Sequence, residues 1–569
     1  MTRTARRTGW SKALVAALAL GLLAVPSAPA SAGEAGIVGT GSSWSAGMLS
    51  QWSSDVKQFG LDVQFSPTGS SAGRRDFTAG LNDFAVSEIP YGLTDAAGGF
   101  DPPPKRGFAY LPVVAGGTAF MYNLVVAGRP VTNLRLSGAT TAKIFTGSVT
   151  SWDDPAIAAD NPNIALPARR ITPVVRSDGS GTTAQFTAWM ASEQPQIWND
   201  FCRKQRIPFS GNCPFTSNYP SVQGFRALAG SDQVTAGVKG PAGEGSISYV
   251  EFSYALNAKL PVAKVLNASG YYVEPTEQAV AVGLLRAQIN NDKSNRNTYL
   301  TQQLEGVYRS DDRRSYPLSS YSYAIIPTAE GGVFSSAKGK ALGTFLNFGV
   351  CEGQQSAGVL GYSALPQNLV QASLEQIRLI PGVDQSGVDI RKCNNPTFSA
   401  DGTNTVAKNA PQPPDCDKQG PAQCATGTAG VKSIATAVTK GVAAADPKAA
   451  AAVAAAAAAK KATAAGAAGA TATAPATATG PAAAGAAVPE TAAAADLSAL
   501  AGAVDPETGE ILAAGGEPGA TSVSGIAVSA PGSSGSGLQT WLMVLAALSL
   551  LIATLGPPAL QQRLSRDRT

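Results

Sequence analysis

The chain has 569 residues, with 43 lysines and arginines against 39 aspartates and glutamates and a formal net charge of +4. So small a positive excess on so long a chain argues against a nucleic-acid partner, which needs a strongly basic face. The sequence contains no histidine, which excludes a Ser-His-Asp triad and every histidine-ligated metal site. It also lacks a G-x-x-x-x-G-K-[ST] loop, so nucleotide hydrolysis has no support. We predict a binding protein and no enzyme, with no catalytic residue, metal or cofactor.

Residues 1–32 have the three parts of a secretory signal peptide. A basic start that includes Arg6 and Arg7 precedes the apolar stretch Ala13–Val25, and small residues at 30–32 form a cleavage site. The arginine pair leaves twin-arginine export open as an alternative, although its flanking residues fit that signal poorly. No cysteine follows the apolar stretch, so we do not expect a lipid at the new N-terminus. The sequence thus predicts export.

Residues 33 to about 390 carry aromatic residues and alternating strand and helix patterns, which is typical of an α/β sheet. Trp44, Met48, Trp52 and Val56 recur every four residues and predict an amphipathic helix. About 360 residues exceed what one hydrophobic core usually serves, so we expect two lobes. The predicted strands, each a short apolar run, are Leu61–Phe65, Asp83–Val86, Phe108–Val114, Ala119–Val126, Ile171–Val175, Ile247–Val250 and Tyr321–Ile326.

Six cysteines in an exported chain are expected to form three disulfides. Two pairs are close enough in sequence to close loops, and the third pair follows by elimination. The predicted disulfides are Cys202–Cys213, Cys416–Cys424 and Cys351–Cys393. Since six cysteines allow fifteen connectivities, other pairings stay open. No C-x-x-C spacing occurs, which disfavours a metal site, and we interpret residues 391–429 as a cysteine-containing extension.

The composition changes sharply beyond residue 430. Ala449–Ala462 is nearly pure alanine, and the following residues mix alanine, threonine, glycine and proline, so nothing there can bury a core. We interpret residues 430–537 as a disordered stalk. The apolar run 538–560 is long enough for a single transmembrane helix, and the arginines after it place residues 561–569 in the cytoplasm. A processed sorting tail remains the alternative, although no Leu-Pro-x-Thr-Gly sequence precedes the run.

A turn of small residues at Arg176–Thr183 carries the strongest functional signal. It lies between a strand-like apolar run and a helix-like pattern, an order that presents free N–H groups and the positive end of a helix dipole. The guanidinium of Arg176 and the hydroxyls of Ser180 and Thr182 are expected at the same place. The turn therefore predicts a cradle for a small tetrahedral oxyanion. Residues 178–182 of this turn do not match the nucleophile pattern G-x-S-x-G, so the turn gives no support for a serine hydrolase.

Two more turns of small residues precede helix-like segments, at Gly39–Trp44 and Thr68–Gly73. Either turn alone is weak evidence, because glycine and serine turns are common and a plain capped helix start is the better explanation of each by itself. Three such turns on one α/β chain strengthen the interpretation, since anions bind at the carboxyl ends of the strands in open α/β sheets.

Taken together and in this order along the chain, the turns resemble the pocket segments of the PstS family, the phosphate-binding subunits of ABC importers. The resemblance covers roughly residues 35–385. The segments that carry it are Gly39–Trp44, Thr68–Gly73, Asp83–Glu88, Ile144–Asp154, Val175–Thr182 and Ser246–Glu251. It implies a two-lobed fold like that of the periplasmic binding proteins, with residues 33–112 plus 316–390 in one lobe and 113–315 in the other. Both sheets are expected to be doubly wound, with two crossover strands as the hinge.

The resemblance also implies a set of phosphate ligands. Glu88 stands where the family has an acceptor aspartate, and Asp178 is expected to orient Arg176. The remaining implied ligands are Ser43, Trp44 through its N–H, Ser70, Arg176, Ser180, Gly181 and Thr182. Other interpretations stay open: Arg176 and Asp178 as an ordinary ion pair, and Glu88 as a solvated carboxylate at a loop end. We expect the side chains of Trp44, Met48 and Trp52 to belong to the core.

The sequence therefore predicts an exported solute-binding protein that captures inorganic phosphate. It is expected as a monomer on the extracellular face of the cell membrane, anchored by its C-terminal helix. Its expected partners are phosphate and the ABC permease subunits, and no nucleic acid. The alternative is a surface protein that reuses the fold for adhesion or envelope structure, which the stalk, the anchor and Glu88 suggest. Phosphoester hydrolysis has little support without histidine or a metal cluster.

Overall fold

The computed structural model of the protein describes residues 35–93, 100–295, 297–399 and 401–436. The predicted signal peptide, transmembrane helix and cytoplasmic tail lie outside these residues, as does the predicted stalk from residue 437 onward. Within the described ranges no helix is both long and apolar enough to cross a membrane. The C-terminal anchor therefore stays a prediction.

The described residues form an α/β fold, as the alternating patterns predict. Where a strand is short and half-buried, as at β1, its buried and more exposed residues alternate along the chain. The strands are β1 (Ile37–Gly41), β2 (Val63–Ser66), β3 (Phe84–Ser87), β4 (Phe108–Tyr122), β5 (Val125–Val126), β6 (Arg129–Pro130), β7 (Arg135–Leu136), β8 (Thr172–Arg176), β9 (Arg226–Leu228), β10 (Ser246–Glu251), β11 (Val262–Leu266), β12 (Tyr272–Val273), β13 (Gln288–Ile289), β14 (Gln302–Gln303) and β15 (Ser319–Pro327).

Several helices begin at a serine or threonine whose side chain accepts a hydrogen bond from an N–H three residues on, as Ser137, Thr276 and Ser335 do. The α-helices are Ala46–Lys57, Ser70–Ala79, Gly138–Phe145, Pro155–Asp160, Gly181–Glu193, Pro195–Lys204, Gly230–Val238, Phe252–Ala258, Glu277–Leu284, Glu305–Tyr308, Ser336–Val350, Ala357–Leu360, Gln367–Ile377 and Thr405–Lys408. Single turns of 3₁₀ helix cover Pro241–Gly243, Glu352–Ser356, Ile390–Lys392, Asp415–Asp417 and Ala429–Val431.

The main sheet has the strand order β2-β1-β3-β15-β4-β10-β8-β9. β1 lies parallel to β2 and β3 at one end, and β8 lies parallel to β9 and β10 at the other. Between them, β15 and β4 run antiparallel to each other. Because β4 pairs with β15 through its first part and with β10 through its last, the two halves belong to one hydrogen-bonded network rather than to two separate sheets.

The strand β4 is where the observed fold departs most from the predicted elements. Two strands were expected, at 108–114 and 119–126, but one strand of 15 residues runs through both, and every residue in it is buried. The small residues between the two apolar runs, including Gly116 and Gly117, give no strand pattern by themselves. They are nevertheless paired, with Ser320 and Ser319 of β15. Tertiary pairing thus overrides a weak local preference.

The two largest hydrophobic cores of the described residues flank this crossing strand and mark two lobes. The first consists of buried side chains from residues 37–115 and 321–388, with Val280 and Leu284. The second comes from residues 120–279, with Tyr316 and Leu318. The lobe limits implied by the resemblance stay a prediction, although the two cores are consistent with them. We call the lobe around the first core lobe I and the other lobe II.

The predicted amphipathic helix is confirmed at Ala46–Lys57. Met48, Trp52 and Val56 are buried on it, and Trp44 is buried just before its first residue. Trp52 packs edge-on against Phe345 of the helix Ser336–Val350 in the first core. These aromatic residues therefore serve the core, as the sequence indicates.

The three predicted disulfides are confirmed: Cys202–Cys213, Cys351–Cys393 and Cys416–Cys424. The last two involve cysteines of the C-terminal extension. Cys351–Cys393 joins the start of the extension to lobe I, and Cys416–Cys424 lies in the part that packs on lobe II. There Lys264 forms a buried ion pair with Asp417, and the guanidinium of Arg135 donates to three backbone carbonyls of residues 416–422. Because its charged and backbone groups are paired in this way, the extension is an integral part of the fold.

Candidate functional site

The turn 176–183 connects β8 to the helix Gly181–Glu193, as the sequence predicts. Ser180 is the N-cap: its side-chain oxygen accepts from the Thr183 N–H at 3.1 Å. Accepting this bond leaves the proton of the Ser180 hydroxyl available to another acceptor. Gly181 and Thr182 follow as buried residues in the first turn of the helix. The start of this helix thus presents N–H groups and hydroxyls to one place.

Glu88 follows β3 and is buried, with 1% of its surface exposed. Its Oε1 accepts from the hydroxyls of Ser42 and Ser322, the latter at 2.9 Å, and its Oε2 accepts from Ser70 Oγ at 2.7 Å. Ser45 Oγ lies 3.4 Å from Oε1 as a more distant donor. A carboxylate held by hydroxyl groups in a dry environment is a strong acceptor. The interpretation of Glu88 as a solvated carboxylate is therefore wrong.

The starts of two helices meet across the two lobes. The Gly181 N–H donates to Ser70 Oγ at 3.1 Å, and the Ser71 N–H donates to the Gly179 carbonyl at 3.1 Å. The approach is so close that a Cβ at position 181 would lie 1.9 Å from Glu88 Oε2. Only glycine fits there, because the backbone of lobe II lies directly against the carboxylate of lobe I.

Arg176 lies at the end of β8, almost fully buried, and forms a two-pronged ion pair with Asp178. Arg176 Nε is 2.7 Å from Asp178 Oδ1, and Arg176 Nη2 is 2.5 Å from Asp178 Oδ2. Asp178 Oδ1 also accepts from the Gly230 N–H at 3.0 Å. Burial by itself would raise the pKa of the Asp178 carboxyl, but the hydrogen bonds and charge of Arg176, together with the Gly230 N–H, hold it below its ordinary value.

This ion pair is also in contact with the other lobe. A Cβ at Gly69 would lie 2.6 Å from Asp178 Oδ2, so the turn before the helix Ser70–Ala79 touches the pair. Gly69 has a φ of +96°, a conformation that favours glycine. The guanidinium therefore lies where the predicted turns of both lobes meet, and not at an isolated strand end.

The segment Ser43–Trp44 reaches the same place from lobe I. The Trp44 N–H donates to Ser42 Oγ at 3.1 Å, so the predicted backbone donor already has a partner within its own turn. Ser43 Oγ lies 2.9 Å from Ser231 Oγ of lobe II. The indole of Trp44 lies in the core against Tyr362, with ring centroids 6.0 Å apart.

Sequence comparison gives the family. A family model described as PBP superfamily domain matches residues 26–352. The phosphate-binding protein PstS 3 of Mycobacterium tuberculosis (strain ATCC 25618 / H37Rv) is 31% identical over 312 residues, which are 54% of this chain and 76% of that protein. This chain belongs to the PstS family. The phosphate-binding protein PstS of Xylella fastidiosa (strain Temecula1 / ATCC 700964) is 29% identical over 338 residues, or 59% of this chain and 83% of that protein.

Among solved structures, the phosphate-binding protein from Stenotrophomonas maltophilia aligns with 65% of this chain and 99% of its own, with 18% identity and a TM-score of 0.40. The match to the superfamily model ends at residue 352. The extension, with its disulfide Cys416–Cys424, therefore lies beyond the residues of this PstS-family chain that the superfamily model matches.

Direct contacts join Ser70, Glu88 and Gly181, and the Arg176–Asp178 pair lies against the neighbouring Gly69. Ser180 and Thr182 adjoin Gly181 in the chain, and Ser43 and Trp44 adjoin Ser42, which donates to Glu88. The roles of the nine predicted residues as ligands stay a prediction.

Sequence reasoning missed four serines of this PstS-family site, which lie at the carboxylate or at the interface between the lobes: Ser42, Ser45, Ser231 and Ser322. Ser42 and Ser45 flank the predicted Ser43 and follow from the same turn. Ser231 and Ser322 lie outside every predicted turn, and no local signal marks them.

Within the described ranges, no group of three or more histidine, cysteine, aspartate or glutamate residues is placed to hold a metal ion. The chemistry that the site offers this PstS-family protein is instead that of one guanidinium, several hydroxyls, helix N–H groups and one carboxylate. Such a set offers donors to the oxygens of an anion and one acceptor to a proton that the anion carries.

Proposed function

We propose that this protein is an exported, membrane-tethered phosphate-binding subunit of an ABC phosphate importer. The observation that carries the proposal is the meeting of Ser70, Gly181 and Glu88 beside Arg176, where donors from two lobes and one acceptor face each other. Membership of the PstS family supports the same function. The monomeric state and the permease partner belong to the proposal as well.

Each group has a role toward the anion. The Arg176 guanidinium, kept in orientation by Asp178, supplies the positive charge, and the helix starting at Gly181 supplies N–H groups and a dipole. The hydroxyls of Ser43, Ser180 and Thr182 donate to the remaining oxygens, and Ser70 does so once its proton turns from Glu88 Oε2 to the anion. When an anion binds, its oxygens replace Ser70 Oγ and Ser42 Oγ as acceptors for the Gly181 and Trp44 N–H groups.

Glu88 supplies the specificity. Phosphate carries a proton at neutral pH and can donate it to a buried carboxylate, whereas sulfate carries none and would place two acceptors against each other. Leaving buried polar groups unpaired in this way can reduce binding by about 10⁴–10⁵-fold. A glutamate in place of the family's aspartate keeps the acceptor and brings it one methylene further into the cleft.

Isothermal titration of the full chain, solubilised in detergent, with inorganic phosphate and with sulfate tests the binding function. We expect phosphate to bind with a micromolar or lower dissociation constant and sulfate to bind at least about a thousandfold more weakly. Arg176→Ala is the control and should give no heat with either anion. If micromolar phosphate gave no heat with the wild-type chain, the alternative function in adhesion or envelope structure would be favoured.

The tether is tested separately from binding. Residues 1–32 direct export in the proposal, and residues 538–560 hold the protein at the extracellular face through the stalk. Expressed in a bacterium with one cell membrane, the full chain should be found in the membrane fraction, and a chain that ends at residue 537 should be found in the medium. If both were secreted, the tether would be wrong although phosphate binding could still hold.

A further inference from the structure

Ser43 of lobe I is held by two residues of lobe II. The Ser231 N–H donates to Ser43 Oγ at 3.2 Å, and the two hydroxyl oxygens are 2.9 Å apart. The Tyr254 hydroxyl donates to the Ser43 carbonyl at 2.6 Å. Ser43 and Ser231 are both nearly inaccessible to water, with 3% and 1% of their surfaces exposed.

These contacts join distant parts of the chain across the cleft. Ser43 lies in the turn between β1 and the helix Ala46–Lys57, whereas Ser231 and Tyr254 lie in the helices Gly230–Val238 and Phe252–Ala258. The hydroxyl pair spans 188 residues of sequence, and the Tyr254 contact spans 211. Opening the lobes by a hinge movement therefore requires breaking all three hydrogen bonds.

We propose that Ser231 and Tyr254 form a latch that closes the lobes over the anion, and that Ser231 also directs the hydroxyl proton of Ser43 toward that anion. Neither residue needs to touch the ligand, so both are positioning residues. The inference rests on the proposed function and adds two residues of lobe II to the site.

The donors around Ser43 allow its proton to be aimed at the anion. Arg176 carries only donors, and one of its nitrogens lies 3.5 Å from Ser231 Oγ, which acts as the acceptor. Either hydroxyl of the Ser43–Ser231 pair can be the donor. In the arrangement in which Ser231 donates, Ser43 Oγ accepts from both the hydroxyl and the N–H of Ser231, and its own proton is then available to an acceptor such as a phosphate oxygen.

The latch affects affinity through the closed population of the protein. A ligand that binds only the closed form has an apparent dissociation constant equal to the intrinsic one divided by the closed fraction. Bonds that exist only when the lobes are closed raise that fraction. The loss of one of these bonds increases the dissociation constant and the dissociation rate of any anion that fits. It does not change the preference for phosphate over sulfate, which depends on Glu88.

The test is titration of the full chain in detergent with inorganic phosphate, with dissociation rates measured by stopped flow. Ser231→Ala should raise the phosphate dissociation constant about fivefold, which corresponds to one hydrogen bond, mainly by faster dissociation. Tyr254→Phe should have a similar effect, and Ser231→Thr, which keeps the hydroxyl, should stay near the wild-type value. Ser248→Ala is the matched control, since Ser248 Oγ donates to the Val174 carbonyl within lobe II and away from Ser43.

Two results would overturn the latch: Ser231→Ala within about twofold of the wild type, or an equal loss in Ser248→Ala. If Ser231→Ala fails to fold, Tyr254→Phe decides in the same way. A wild-type chain that binds no phosphate would instead contradict the proposed function. The phosphate-to-sulfate ratio gives a further check, because the latch variants should leave it unchanged.

Discussion

Gly181 and Ser70, which are 111 residues apart in sequence, meet across the cleft with the Gly181 N–H donating to Ser70 Oγ at 3.1 Å. Ser70 Oγ in turn donates to Glu88 Oε2 at 2.7 Å. One hydroxyl thus accepts from lobe II and donates within lobe I. Nothing larger than a hydrogen atom fits between Gly181 and the Glu88 carboxylate. Closure of the lobes therefore requires a residue without a side chain at position 181.

A methyl group at position 181 should hold the lobes apart. Its carbon would lie 1.9 Å from Glu88 Oε2 and 2.6 Å from Ser70 Oγ. We expect Gly181→Ala to weaken phosphate binding about 10- to 100-fold, the equivalent of a typical overpacking cost. Isothermal titration measures the change. Gly36→Ala is the control, because its Cβ would meet only Asp62, at an ordinary 3.6 Å. Equal affinities for the two variants would contradict the close contact.

Replacing Glu88 by glutamine should relax the choice between phosphate and sulfate. An amide oxygen can still accept from Ser42 and Ser322, whereas an amide NH₂ facing Ser70 Oγ becomes a donor to it and to the anion. Sulfate then loses its unfavourable contact, and we expect the phosphate-to-sulfate affinity ratio to fall at least about tenfold.

Competition titrations of Glu88→Gln with both anions measure that ratio. Glu88→Asp is the matched control, since it keeps the carboxylate and should keep the discrimination even if its affinity changes. An unchanged ratio in Glu88→Gln would show that the carboxylate does not select the ligand.

Asp178 should stabilise the fold at neutral pH but not in acid. Its pKa in the folded protein lies below the ordinary value of 3.8, because Arg176 and the Gly230 N–H outweigh the effect of burial. The ionised carboxylate therefore adds its full contribution to the free energy of unfolding above pH 3.8, and this contribution is lost as the pH falls through the folded pKa. We expect Asp178→Asn to cost about 2 kcal/mol of unfolding free energy at pH 7, as for a hydrogen bond to a charged group. Urea unfolding at pH 7 and pH 2.5 should show this difference shrinking in acid, and a constant difference would refute the assignment.

The parts of the site that the sequence predicts are those with local causes. Ser180 caps the helix Gly181–Glu193 because it stands between a strand and an apolar helical pattern, and its partner, the Thr183 N–H, is three residues away. Capping of this kind depends on neighbouring residues alone. The turn and the helix it begins can therefore be predicted without knowing the fold.

The parts that the sequence does not predict depend on strand order. Ser322 reaches Glu88 across 234 residues because β15 pairs with β3, and Ser231 reaches Ser43 across 188 residues because the two lobes meet. A single serine on a strand or a helix carries no mark of such a partner. The continuity of β4 through Gly116 and Gly117 is of the same kind, since it results from pairing with β15.

Glu251 should make stability fall as the pH rises. Burial, which outweighs the hydrogen bonds from Ser253, raises the pKa of its carboxyl well above the ordinary 4.5. A carboxyl group whose pKa is raised by folding contributes its full stabilisation below pH 4.5. As the pH rises from 4.5 to the folded pKa, the free energy of unfolding falls by up to about 1.4 kcal/mol per pH unit. Glutamine cannot titrate, so Glu251→Gln should gain stability relative to the wild type as the pH rises from 4.5 toward the folded pKa. Urea midpoints that run parallel over this range would contradict the expectation.

The buried ion pair that fixes the extension should matter more than a similar pair at the surface. Lys264 and Asp417 are joined at 2.5 Å with 11% and 5% of their side chains exposed, whereas Arg203 and Asp200 form a pair that is 62% and 73% exposed. Asp417→Ala leaves an ammonium group buried without its partner, which costs about 3–5 kcal/mol. Asp200→Ala removes a solvated carboxylate and should change the unfolding free energy by less than about 1 kcal/mol.

Urea unfolding of both variants separates a structural extension from a loosely attached one. If the extension belongs to the cooperative fold, the larger cost of Asp417→Ala appears in the main transition, and Lys264→Met in the same chain should recover part of it by removing the unpaired charge. A loss no greater than that of Asp200→Ala would show that residues 416–424 can detach without unfolding lobe II. The buried contacts of Arg135 with the carbonyls of residues 416, 420 and 422 argue against such detachment, because they too would have to be broken.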